Sequence, residues 1–84
     1  MSYEVILPKS VQKELDRLPT EINNRVLERL AALEAHPRPG DVKKLKGRSA
    51  WRIRIGDYRA IYEINGQSRQ IIVVTVAHRR EVYR

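Results

Sequence analysis

The stretch WRIRIGDYRAIYEI, residues 51–64, interleaves Arg52, Arg54 and Arg59 with Trp51, Ile53, Ile55 and Tyr58. Gly56-Asp57 at its centre is a two-residue hairpin signal with glycine at the first turn position. That register predicts Ile55 opposite Tyr58, Arg54 opposite Arg59, Ile53 opposite Ala60, Arg52 opposite Ile61 and Trp51 opposite Tyr62. Alternation then puts the aromatic and aliphatic residues on one face and the three arginines, with Glu63, on the other. Like charges directly across a sheet cost a few tenths to ~1 kcal/mol per pair. Such a cluster is solvated, relieved by an acid, or kept for an anion, and guanidinium forks suit phosphate oxygens because they bind them bidentately.

The C-terminal run HRREVYR adds His78, Arg79, Arg80 and Tyr83. An antiparallel return from the NGQSR turn brings His78 and Arg79 to the Gly56-Asp57 end of the hairpin, near Arg54 and Arg59. Together these groups have the parts needed to cleave a phosphodiester without a metal. One group accepts the 2′-hydroxyl proton, cations hold the charge building on phosphorus, and an acid protonates the leaving 5′-oxygen. An exposed tyrosine also stacks on an unpaired base, worth ~1–3 kcal/mol. Taken alone, the tail equally fits an ordinary polar C-terminus.

The elements that must position these residues are legible from periodicity. SYEVIL, residues 2–7, reads as an edge or first strand ended by Pro8. Val11, Leu15 and Leu18 then recur at helical spacing, with Pro8 in the first turn and Pro19 beyond the end. Thr20 reads as the N-cap of a second helix carrying Ile22, Val26, Leu27, Leu30 and Leu33 to about Ala35, where HPRPGD stops it and His36 sits at the helix end. Strands follow at VKKL, AWRIRI, YRAIYEI and QIIVVTVA, the last apolar on both sides and therefore interior to the sheet. The expectation is one α+β domain over residues 1–84 of order β-α-α-β-β-β-β, a helical hairpin on an antiparallel sheet.

Composition bounds the function. The chain has 84 residues, 42% apolar and 32% charged, with no cysteine and a net charge of +7. Disulfide frameworks and thiolate metal sites are excluded. The acids are scattered, with no paired carboxylates at ligand spacing, so no metal and no other cofactor is expected. The longest apolar run, IIVVTVA, is far short of the ~20 residues a spanning helix needs, and MSYEVILPK, without a basic n-region or a long apolar h-region, leads to the expectation of no secretory signal. A cytoplasmic protein without a membrane partner is the default. Residues 1–37 carry five Lys/Arg against six acids, whereas residues 38–84 carry twelve against four. The whole positive excess lies in the second half, which points to a polyanionic partner, nucleic acid before lipid. In KKLKG, Lys43, Lys44 and Lys46, joined by Arg48, are candidate backbone contacts, although lysines also defend an edge strand.

The pattern LKG, then WRIRIGDYRAIYEI, then VTVAHRREVYR, following a strand and a helical hairpin, resembles the RelE branch of the RelE/ParE toxin superfamily of bacterial and archaeal toxin–antitoxin systems. The likeness spans nearly the whole chain. It implies an mRNA interferase that cuts mRNA in the ribosomal A site and is neutralised by a cognate antitoxin. By position, Arg52 and Arg54 match basic strand residues that bind the scissile region, and Arg59 matches an arginine that stabilises the transition state. Arg79 matches an arginine after the last strand, and Tyr83 a tyrosine that stacks on and orients a base. Some relatives have lysine at the positions of Arg52 and Arg54. Arginine binds and polarises but is not an ordinary base, which leaves His78, or the substrate and ribosome, as the proton acceptor. The ParE branch shares the fold but poisons DNA gyrase and usually lacks the basic and tyrosine set. A plain RNA-binding protein is a third expectation compatible with the same residues.

Overall fold

The computed structural model describes residues 2–47 and 49–82, the last two as backbone only. Its elements are β1 (Glu4–Ile6), α1 (Lys9–Asp16), α2 (Thr20–Ala32), β2 (Lys43–Lys44), β3 (Ala50–Ile55), β4 (Tyr58–Asn65), β5 (Gln70–His78) and α3 (Arg79–Val82). The five strands form one sheet in the order β1-β5-β4-β3-β2. Fold class and element order through β5 are those expected from the sequence, with two differences: the short helix α3 follows β5, and the sheet is mixed, because β1 pairs parallel to β5. The two-helix crossover between β1 and the rest of the sheet makes this possible, since parallel neighbours need a long connection.

Local boundaries follow from the prolines. Pro8 and Pro19 occupy the N-cap positions of α1 and α2, so Thr20 is the first helical residue and not the cap. Asn23 donates from its side-chain amide to the Leu15 carbonyl at 2.8 Å, tying the end of α1 to the start of α2. Helix α2 stops at Ala32, and turns continue through residues 33–35. The C-cap of α2 is Leu33, and His36, three residues beyond it, lines a small apolar cavity with Leu33, Pro39 and Ile53.

Val11 and Leu15 of α1 and Val26 and Leu30 of α2 are buried against Ile53, Ile55, Ala60, Tyr62, Ile71, Val73 and Val76. This helix-facing side of the sheet is the hydrophobic core, and Trp51 packs partly buried at its margin. Tyr62, fully buried, donates its hydroxyl to the Pro37 carbonyl at 2.7 Å. Arg38 lies 5.3 Å from the Trp51 ring centroid, and Arg29 pairs with Asp41. The proline-rich loop is therefore pinned to the core by a phenol, a cation–π contact and an ion pair, and α1 and α2 pack on this one side of the sheet.

Candidate nucleic-acid interface

The β3–β4 hairpin has the register its turn residues dictate: Ile55 pairs with Tyr58, Arg54 with Arg59, Ile53 with Ala60, Arg52 with Ile61 and Trp51 with Tyr62. Gly56 adopts φ +60°, a left-handed conformation that glycine takes without a Cβ penalty. Arg52, Arg54 and Arg59 consequently share the face opposite the helices. Ala50 and Ile61 are buried on that same side, outside the main core, and give the guanidinium stems an apolar floor.

Arg59 stands apart from the other arginines. It is only 4% exposed, although it carries a full charge. Its Nη1 donates to the carbonyls of Tyr58 at 3.2 Å and Gly56 at 3.4 Å, and its buried Nε has no hydrogen-bond partner among the described residues. Burial pushes its pKa down, and Arg54, Arg52 and Arg79 push it further in the same direction; Asp57 opposes them more weakly. Four cationic side chains thus act on one another at one end of the sheet. The same turn also fixes the fourth, because the Arg79 backbone N–H donates to the Asp57 carbonyl at 2.8 Å. Two residues of tight turn therefore hold Arg59 by its side chain and Arg79 by its backbone.

The structure brings His78 to the expected end of the sheet but to the other face. Strand β5 contains a bulge: Tyr62 pairs with Val73 and Ile61 with Thr75, so Val74 has no partner on β4. One extra residue reverses the alternation beyond it. Ile71 and Val73 face the core before the bulge, and Val76 faces it afterwards. Ala77 therefore lies opposite Arg59, and His78 lies opposite Tyr58 on the helix side. The His78 and Tyr58 rings meet edge to face at 5.4 Å. His78 Nδ1 accepts the Arg80 backbone N–H at 3.3 Å, the arrangement of a cap on α3. His78, expected as the proton acceptor close to Arg54 and Arg59, thus stands at their end of the sheet but opposite Tyr58 on the helix side.

Of the remaining candidates, Lys43 pairs with Arg52 and shares its face, whereas Lys44 pairs with Trp51 and points to the other side. Lys46 is exposed in the turn after β2, and Arg80 is exposed on α3. Arg48 and Tyr83 lie outside the described residues. Glu63, four residues along β4 from Arg59, pairs with Ala50 toward the opposite end of the strands. Among the described residues no group of three His, Asp or Glu side chains comes together as metal ligands would.

Periodicity alone gave no warning of Glu14. From α1 it reaches the edge of β5 beyond the short β1, where its carboxylate accepts the Thr75 hydroxyl at 2.8 Å and the Val76 backbone N–H at 2.9 Å. An exposed strand edge needs such cover, but nothing in a helical pattern distinguishes this acid from its solvated neighbours.

Comparison with known proteins fits this geometry to a family. A family model described as the ParE toxin of the type II toxin–antitoxin system parDE matches residues 5–83. Toxin RelE3 of Methanocaldococcus jannaschii is 33% identical over 87 residues, covering 95% of this chain and 94% of its own. The chain belongs to the RelE branch of the RelE/ParE toxin superfamily. Among solved structures, the archaeal RelE of the RelE–RelB complex from Pyrococcus horikoshii OT3 superposes with a TM-score of 0.85 at 37% identity, covering 96% of this chain and 99% of that one. The RelB–RelE complex from Methanococcus jannaschii gives a TM-score of 0.74 at 30% identity, over 95% and 94% of the two chains. No helix among the described residues of this RelE-branch chain is long and apolar enough to cross a membrane.

Proposed function

We propose that this RelE-branch toxin is a metal-independent endoribonuclease that cuts mRNA in the ribosomal A site and so inhibits translation. The observation that carries this reading is the buried, partly unsatisfied Arg59, under the charges of Arg54, Arg52 and Arg79, on the face of the sheet away from α1 and α2. A phosphate drawn to the cluster relieves the mutual repulsion of its guanidiniums and gains charge-assisted hydrogen bonds from them. The attraction grows as negative charge accumulates on the phosphorane oxygens, so the cluster favours the transition state over the ground state.

In the proposed reaction the substrate's own 2′-hydroxyl attacks the adjacent phosphorus. The P–O5′ bond breaks, and the products are a 2′,3′-cyclic phosphate and a 5′-hydroxyl. Arg52, Arg54 and Arg79 orient the scissile group while Arg59 holds the developing charge. With His78 on the helix side, the proton leaving the 2′-hydroxyl passes to a phosphate oxygen of the substrate or to a group the ribosome provides, and from there to the departing 5′-oxygen. Tyr83 is assigned to stacking on a base through the family resemblance, and Lys43, Lys46 and Arg80 to the flanking backbone.

The RelE–RelB complexes among the relatives support a cognate antitoxin as the physiological partner. The ParE description of the matching family model favours a second reading, inhibition of DNA gyrase without nuclease chemistry. Incubation with programmed ribosomes separates the two. Cleavage by the wild type, lost in Arg59→Ala, is the expected result. Intact mRNA together with a DNA-damage response on expression would transfer the assignment to gyrase.

A further inference from the structure

A second basic surface lies round the corner from the arginine face. A cleft of about 440 Å³, within the range of ~300–1,000 Å³ usual for ligand sites, is bounded by Arg25, Glu28 and Arg29 of α2, by Asp41, and by Arg54 and Gly56 of the hairpin. Arg29 is taken by its ion pair with Asp41. That leaves Arg25 and Arg54 to set the charge of the cleft, against Glu28. Arg54 belongs to both surfaces: it lines this cleft, and its charge is felt at Arg59.

Gly56 joins the two. A Cβ built on it would lie 3.7 Å from Arg25 Nη1 and 3.9 Å from Nη2. The Arg25 guanidinium therefore rests against the back of the turn whose carbonyls hold Arg59 and Arg79. Val26, fully buried, fixes the helix from which Arg25 projects. Arg79 and Arg54 both act on Arg59, and Arg54 lines the same cleft as Arg25, so positive charge extends from the sheet past the glycine to α2.

We propose that Arg25 and Arg54 form a phosphate subsite that holds single-stranded RNA beyond the cleavage site. This rests on the RNA reading above, and it assigns a binding role to the half of the chain whose charges balance. The probe is a short fluorescent RNA with 2′-O-methyl riboses, which cannot undergo 2′-hydroxyl attack. Its affinity is measured by anisotropy across a salt series for the wild type, Arg25→Gln and Arg25→Lys, with circular dichroism to establish folding. Arg25→Gln weakens binding roughly fivefold or more and reduces the slope of log affinity against log salt by about 0.7, the loss of one phosphate contact on a single strand. Arg25→Lys keeps the slope. Affinity and slope unchanged in a folded Arg25→Gln, or no binding by the wild type, would overturn the subsite. The ribosome assay decides separately on cleavage. Ribosomal cleavage with an unaffected Arg25→Gln removes the subsite and keeps the nuclease, whereas the expected binding loss without cleavage keeps the subsite and removes the nuclease.

Discussion

Replacing Arg59 with methionine should stabilise the protein while abolishing its activity. The substitution keeps an unbranched stem over the Ile61 floor and deletes the charge. Against it stand two long hydrogen bonds, at 3.2 and 3.4 Å, to the carbonyls of Tyr58 and Gly56, each worth ~0.5–1.5 kcal/mol at most and less at such distances. In its favour are a directly opposed Arg54, which costs ~0.2–1 kcal/mol, and repulsion from Arg52 and Arg79. The buried Nε without a partner adds ~1–3 kcal/mol. The balance favours the variant by about 1 kcal/mol, which in a domain of this size raises Tm by ~4–8 °C.

Thermal unfolding followed by circular dichroism at low ionic strength measures this. The gain should shrink at high salt, where the Debye length falls to ~3 Å at 1 M and the arginines no longer repel one another. Cleavage by the same variant should fall by ~10²–10³, the usual loss for one charge-stabilising donor. A methionine variant less stable than wild type by 1 kcal/mol or more at every salt concentration would refute the reasoning. Arg59 would then be a structural strut, and its burial would say nothing about an anion.

Three further outcomes follow from named contacts. Burial pushes the Tyr62 phenol from its usual value up to about 12. The unfolded chain ionises near pH 10 and the folded one does not, so Tyr62 contributes stability that is intact below pH 10 and lost as pH rises through about 12. That loss is on the order of 2–3 kcal/mol, and Tyr62→Phe should abolish it in denaturant titrations at successive pH values. Glu14→Ala leaves the Val76 N–H without its side-chain acceptor and should cost ~1–3 kcal/mol, read as a lower urea midpoint; an unchanged midpoint would mean that water covers the edge equally well. His78→Ala should slow cleavage by releasing α3 and with it Arg79, and His78→Asn, a good capping residue, should restore most of the rate. If His78 were the base, the two variants would be equally inactive.

The hairpin was readable because its signals agree. A Gly-Asp turn, strict alternation and aromatic residues all demand one register, and a slip by one residue would bury Arg52 and Arg54 in place of Trp51 and Ile53. The helical pair was readable for the same reason, with prolines at both starts. The parallel pairing of β1 was not, because a three-residue strand carries no directional signal and the choice of neighbour is made by the long crossover. The covering of the β5 edge by Glu14 was equally hidden, since it depends on where α1 lands and not on its own periodicity.

The β5 bulge shows where local pattern stops determining a site. IIVVTVAH is apolar on nearly every residue, so both phases of alternation look equally buried and neither side chain count nor turn length reveals the unpaired Val74. Yet that residue decides which of Ala77 and His78 shares the arginine face. Ala77, a small residue, is thereby placed opposite Arg59 in the position an imidazole would otherwise take. The same shift turns His78 toward Tyr58, where it caps the helix that begins with Arg79. One extra residue therefore places an alanine beside one arginine and an imidazole at the start of the helix that carries another, so the local pattern of β5 alone does not determine the composition of the cationic surface.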